Sequence, residues 1–316
     1  MELLEAWSQE QRDNYSKEIV VTKHRMEETG LFSDEALIRL LDKHPSHLID
    51  FQYVESDPDY PDKQVTVDFS GADGATMMKV VKTNARVWIN LREAMNVHPE
   101  YQKVYDQLLD ELEEKTGKNK AMRNCRGGIL ISSKTAATPY HADPTTTLLW
   151  HIRGHKQAWV YPVTDEFLPD IEYEKIIIGE VDQDMPFSYA MDDGAILKPA
   201  DLYGGEMVSW PHPSPHRVEN RTFCVSMVME FSTAESAFRN AGSFTNAWLR
   251  RRFSANPKPW AQTPILVKLL KVAMGRALQK MGTRKKFRRI DWVHYKLDMD
   301  VDGFIKTVTK PYKRVH

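Results

Sequence analysis

Three side chains of this sequence could share one divalent ion. The segment Thr138-Pro-Tyr-His141-Ala-Asp143 places a histidine and an aspartate two positions apart. On an extended strand, positions i and i+2 point to the same side, so the imidazole and the carboxylate can be presented together. Seventy-three residues after Asp143, the segment Gly205-Glu-Met-Val-Ser-Trp-Pro-His-Pro-Ser-Pro-His216 ends on a histidine just ahead of the run FCVSMVMEF. Two imidazoles and one carboxylate on one face of a metal leave its other positions open, the arrangement used by non-heme iron(II) oxygenases. His212 competes with His216 for the distal place. A His-x-Asp tripeptide is expected about once by chance in such a chain, and a mere hydrogen-bonded turn is the plain alternative. Its setting between two strand-like runs, with a proline-bracketed histidine entering a third, favours the metal.

The elements that must position these groups are short strands. From about residue 127 to 232 the chain reads GILISS, TTLLWHI, QAWVYP and FCVSMVMEF, separated by Gly, Pro and Asp. Short, numerous strands joined by turns favour an antiparallel sandwich or barrel over a parallel α/β sheet. KQVTVDF, which alternates, could add an outer strand. Before the strands, Ser33 caps a helix over Asp34 to Lys43 that His44-Pro45 ends. A second helix begins at Pro99, carries Tyr101, Val104, Tyr105, Leu108, Leu109 and Leu112 at helical spacing, and stops at Gly117. After Phe231 the chain returns to helix, with Thr263-Pro264 capping one that runs to about Met281. The expected organisation is α+β: a mostly helical region over 1–120, a β core over 121–235, and a helical, basic region over 236–316.

The motifs resemble those of the JmjC and cupin-like 2-oxoglutarate oxygenases, most closely the protein hydroxylases of the factor-inhibiting-HIF type. The resemblance rests on Thr138-x-x-His141-x-Asp143, Thr147, Ile-Arg-Gly-His-Lys156, Trp-Val-Tyr-Pro162, Gly205-Glu to Pro211, and His216. It covers about residues 125 to 232. It implies a double-stranded β-helix (jelly-roll) core with His141, Asp143 and His216 holding iron(II). It implies further that Lys156 and Thr138 meet the distal carboxylate of 2-oxoglutarate, that Thr147 bonds its chelating end, and that dioxygen (O2) is the oxidant. Lys156 shares strand parity with Ala158 and Val160, so an inward ammonium is reasonable, and a buried ammonium needs an anionic partner. Arg217 and Arg221 are alternative carboxylate partners. The family often has Asp where Glu206 stands and an aromatic pair in place of the sequence around His212. The acidic loop from Asp182 to Leu202, with Asp184, Asp192 and Asp193, could cover the mouth and prefer a cationic substrate, or lie solvated.

Composition narrows the field. The 43 basic residues balance 44 acidic ones, so no global field draws the chain to nucleic acid. Cys125 and Cys224 form no metal-binding or disulfide pattern. The charged N-terminus is no signal peptide and no apolar run approaches a bilayer span, so a cytoplasmic protein is expected. From Arg250 to Ile290 stand 13 Lys or Arg and no acid. On the helix there, Lys268, Lys271, Gly275 and Gln279 make a basic stripe, and the apolar remainder is expected to pack on the barrel or a second subunit. A surface for anionic lipid and one for nucleic acid are the alternatives, and the resemblance implies a homodimer through this region. Asp298-Met-Asp300-Val-Asp302-Gly303 opens like a calcium loop, but Thr309 replaces the closing Glu, so a polar turn is expected. Trp7, Trp88 and Thr76-Met-Met read as core. The reading is an iron(II) and 2-oxoglutarate-dependent hydroxylase of a small molecule or protein residue. A cupin metalloenzyme that does not use 2-oxoglutarate and a non-catalytic scaffold acting through the basic helices are the rivals.

Overall fold

A computed structural model describes residues 1–56, 61–117 and 122–314. Fourteen strands form among these residues: β1 (Val20–Lys23), β2 (Ile49–Ser56), β3 (Pro61–Asp68), β4 (Val87–Leu91), β5 (Arg123–Ser132), β6 (Ala137–His141), β7 (Thr146–Arg153), β8 (His155–Val160), β9 (Leu197–Tyr203), β10 (Glu206–Ser209), β11 (His216–Asn220), β12 (Cys224–Ser232), β13 (Trp292–Leu297) and β14 (Ile305–Lys313). The α-helices are α1 (Gln9–Asn14), α2 (Asp34–Lys43), α3 (Gly74–Val81), α4 (Ala94–Val97), α5 (Pro99–Thr116), α6 (Asp170–Ile178), α7 (Ala234–Phe253) and α8 (Ile265–Lys280).

The strands β5 to β12 make two facing sheets, with β10-β7-β12-β5 in one and β6-β11-β8-β9 in the other. Neighbours in both are antiparallel. This is the double-stranded β-helix that the resemblance implied. The first sheet is buried on both faces, which explains the unbroken run TTLLWHI in β7. Leu149 packs between the sheets with Val160, Val208 and Trp210. Leu148, Trp150 and Ile152, of opposite parity, pack outward against Leu37, Tyr105 and Leu108. Behind the second sheet, Tyr140, Trp159 and Tyr161 pack with Tyr173 and Ile177 of α6 and Phe244 of α7.

The N-terminal helices have their expected ends. The Ser33 hydroxyl accepts from the Ala36 amide at 3.2 Å, and Gly117 closes α5 at φ 62°. The mostly helical reading of 1–120 needs correction, however. β2, β3 and β4 lie in this region and extend the core sheet through the β4–β5 pairing, so the region continues the barrel wall as well as packing helices on it. The expected divide at residues 120 and 121 falls outside the described residues. The helical reading of 236–316 holds for α7 and α8 but not beyond them, where β13 pairs with β3 and β14. WVHYKL alternates Val293, Tyr295 and Leu297 inward with Trp292, His294 and Lys296 outward. The dense basic run just before it obscured that period. Asp298 lies in the turn joining β13 to β14, accepting from the Asp300 amide, as a polar turn should. Among the described residues no helix is long and apolar enough to cross a membrane.

Gly154 makes the corner between β7 and β8, and so carries the chain from one sheet to the other. Its φ is +98°, and a Cβ there would meet the Phe223 carbonyl oxygen at 2.2 Å. Only glycine fits both demands. Gly154→Ala is therefore expected to lower stability by about 3 kcal/mol in urea unfolding; a loss below about 0.5 kcal/mol would show that the corner is not so constrained.

Candidate metal centre

His141 ends β6 and His216 begins β11, and antiparallel pairing sets the two residues opposite each other. Asp143 follows β6 directly. The His141 and His216 ring centroids are 4.0 Å apart. Asp143 Oδ1 lies 3.8 Å from His141 Nε2, and its Oδ2 lies 3.6 Å from His216 Nε2. All three residues are buried, and one donor atom from each lies within 4.8 Å of the others. These separations are long for hydrogen bonds. Cis donors on one ion with bonds of about 2.1 Å stand about 3 Å apart, so a small inward adjustment would let all three bind it.

The outer nitrogens fix the rings. His141 Nδ1 donates to the Pro139 carbonyl at 2.8 Å and His216 Nδ1 to the Ser214 carbonyl at 3.2 Å. A carbonyl only accepts, so the proton is on Nδ1 and the Nε2 lone pair of each ring faces Asp143. Burial, reinforced by His141, pushes the His216 imidazole down to about 3. His216 is thus a neutral, ligand-ready base. Two imidazole nitrogens and a carboxylate form a donor set that first-row divalent ions accept, iron(II) included.

The donors open into a cavity of about 440 Å³ that Thr138, Thr147 and Lys156 also line. A bulge sets two residues of β6, Pro139 and Tyr140, against one of β11, Arg217, so Thr138 and His141 both face it. Lys156 is only 3 % exposed. Its Nζ donates to Ser226 Oγ at 2.7 Å, and that oxygen lies 3.1 Å from His151 Nδ1. Burial lowers the Lys156 pKa, and no acidic side chain pairs with it among the described residues. Lys156 therefore points where the sequence placed it.

The rival residues lie elsewhere. His212 is outside the convergent group, and burial, then Arg239, hold it down to about 4. Arg217 turns to the outer face of β11, lying 3.5 Å over the Trp159 ring and bonding Asp192, Glu219 and Tyr161. Arg221 holds Gln157 and Glu219. Within the acidic loop, Asp192 is thus occupied, whereas Asp182 and Asp184 line the cavity, Asp184 bridging to His141. Water reaches both carboxylates through the cavity, yet protein crowds them on most sides and burial raises both pKa values.

Sequence reasoning missed Ser226 and Glu230. Both project inward from β12, and Glu230 is raised to about 7 by burial and then by Asp143. Their signal was two polar residues of equal parity in the apolar run FCVSMVMEF. Trp88, expected in the core, is half-buried and lines the cavity.

No known family model matches the sequence, and neither does any curated protein sequence. Among solved structures, that of the Escherichia coli ribosomal oxygenase YcfD is similar at a TM-score of 0.48 and 14% identity, over 91% of this chain and 71% of that one. YcfD in complex with cobalt and 2-oxoglutarate gives a TM-score of 0.43 and 13% identity, over 86% of this chain and 66% of that one. The likeness is distant, and the site stands on its own geometry.

His141→Ala or Asp143→Ala is expected to weaken binding of iron(II) or cobalt(II) at least about 100-fold in anaerobic titration calorimetry, and His212→Ala to change it less than about threefold. Equal losses in all three variants would refute the assignment.

Proposed function

We propose that the chain is an iron(II)- and 2-oxoglutarate-dependent oxygenase that hydroxylates a C–H bond, with His141, Asp143 and His216 as metal ligands. The observation that carries this reading is that the triad shares its cavity with a buried lysine, Lys156, that has no acidic partner among the described residues. Bound iron(II), with 2-oxoglutarate and dioxygen, supplies the oxidation: one oxygen atom enters the substrate as hydroxyl, the other enters succinate, and CO2 is released.

The chain's own groups bind and orient. Lys156 meets the distal carboxylate of 2-oxoglutarate with Thr138 beside it, and Thr147, which lines the same cavity, bonds the chelating end. The apolar side chains of Leu149, Val218 and Val228 line the cavity with them and limit water around the reacting centre. Lys156 argues against a cupin reaction without 2-oxoglutarate, because a buried ammonium destabilises the fold unless an anion completes it. It argues equally against a scaffold without catalysis.

The cavity walls favour a cationic substrate group. At the mouth, Asp50 pairs with Arg92 and Arg314, Asp291 with Arg289, and Glu93 with Arg126. Asp182 and Asp184 have no ion pair among the described residues, and Glu230 has only Arg126 at 3.9 Å.

Loaded anaerobically with iron(II) and then given air, the parent should release succinate from 2-oxoglutarate and His141→Ala should not; negligible release from both would end the oxygenase reading. Lys156→Met should retain metal affinity, lose 2-oxoglutarate binding, and raise the stability of the metal-free protein by about 2 kcal/mol. A Lys156→Met protein that still bound 2-oxoglutarate as tightly as the parent would remove the lysine from the site. Asp182→Asn with Asp184→Asn should cut turnover of amine- or guanidine-bearing substrates about tenfold or more in kcat/KM, while succinate release without substrate persists; unchanged discrimination between cationic and neutral substrates would count against the acidic wall.

A further inference from the structure

Helix α8 packs with the opposite face inward from the one its sequence suggests. Gly275 lies against α7 so closely that a Cβ would meet the Ala241 carbonyl oxygen at 2.0 Å. Thr245 of α7 donates its hydroxyl to the Lys271 carbonyl at 2.6 Å, and Lys268 Nζ sits 5.0 Å over the Trp260 ring. The stripe of Lys268, Lys271 and Gly275 is thus turned inward. Of the apolar side, expected to pack on the barrel or a second subunit, Val272 is buried and Leu278 packs on the core behind the second sheet, but the N-terminal part does not meet the barrel and faces out. Ile265 is 63% exposed, Leu266 72%, Leu269 51% and Leu270 71%.

The outward face has an internal order. Leu266, Leu270, Ala273 and Ala277 follow one another at helical spacing along its centre, all exposed. Beside them Ile265 and Leu269 are continued, toward the C-terminal end, by the exposed Arg276 and Lys280. The contacts Thr245–Lys271 and Ala241–Gly275 make α7 and α8 antiparallel. The end of α7, with exposed Arg252 and Phe253, therefore lies near the start of α8. Beyond α8, Met281 is 79% exposed, and Arg284, Lys285 and Lys286 are exposed too.

We propose that this face seats on an anionic phospholipid surface, with α8 in the plane of the interface. An aliphatic stripe of this size seeks an apolar phase, and the cations around it seek opposite charge. A bilayer with anionic headgroups offers both at the depth an in-plane helix reaches. A second copy of this chain fits less well. Residues 250–290 carry 13 Lys or Arg and no acid, and among the described residues Arg250, Arg251 and Arg289 are paired with acids, through Glu174, Glu180 and Asp291. Pairing two such faces brings like charge against like charge.

Cosedimentation of the full chain with vesicles tests this. Vesicles of phosphatidylcholine with roughly a third phosphatidylglycerol should bind it at least about tenfold more strongly than phosphatidylcholine alone, and the excess should fall steeply between about 0.1 M and 0.5 M salt. Arg276→Gln and Lys280→Gln should each weaken binding about fivefold, and Leu266→Ser with Leu270→Ser on the order of 100-fold, with iron(II) binding unchanged in every variant as the check on folding. Equal binding to both vesicle types, or binding that the paired leucine change leaves intact, overturns the proposal. So does a lipid-free dimer in sedimentation velocity that the leucine pair dissociates while the parent ignores anionic vesicles; that result would assign the face to a second copy.

Discussion

The site depends on the antiparallel register of β6 and β11. His141 and His216, 75 residues apart in the chain, become neighbours because that pairing sets them opposite each other. Side chains alternate faces along a strand, so a slip of one residue would turn His216 outward and Arg217 toward the cavity. The register is held from the other side too, where His216 stands opposite Val160 of β8. Backbone carbonyls two residues before each histidine then fix ring orientation and tautomer. Convergence of three donors is a property of the whole small sheet.

Charge inside the barrel is arranged against stability. Lys156 is a buried amine among neutral partners, held by the Ser226 hydroxyl, and burial disfavours its charged form. Lys156 Nζ can only donate, so Ser226 Oγ accepts from it and can pass its own proton toward His151 Nδ1. Burial, reinforced by Lys156, holds the His151 imidazole far below its usual pKa, which keeps it a neutral acceptor. The relay orients the amine and supplies no anion to favour its charged form. Asp182, Asp184 and Glu230, nearer the opening, are carboxylates that burial makes harder to ionise. A cation deep in the barrel and poorly paired anions toward its mouth would sort an anionic cosubstrate from a cationic substrate by position.

Local periodicity made the fold legible where it was decisive. Pro99, Gly117 and the apolar spacing between them marked α5, and the short runs between residues 127 and 232 marked the barrel. His141 and Asp143 were readable as a pair because strand parity aligns them two positions apart, and Lys156 because it shares parity with Ala158 and Val160. Long-range pairing was not readable. β2 pairs with β4 and β4 with β5 through partners more than 30 residues away, and β13 pairs with β3 across more than 200, so Trp88 and Asn90 appear in the cavity wall without local warning. The orientation of α8 misled for a different reason. Amphipathicity says which face differs from the rest but not which one a neighbour covers, and here Gly275 allows α7 so close that the polar stripe is the buried one.

The central claim is that His141, Asp143 and His216 hold one metal ion in front of Lys156. The most direct test is an anomalous-scattering map from crystals grown anaerobically with iron(II) and 2-oxoglutarate. One iron peak bonded to Nε2 of both histidines and to the Asp143 carboxylate, with the far carboxylate of 2-oxoglutarate on Lys156 Nζ, is the expected result. Iron bound through His212, or 2-oxoglutarate anchored on another cation with Lys156 still held only by Ser226, would contradict the account.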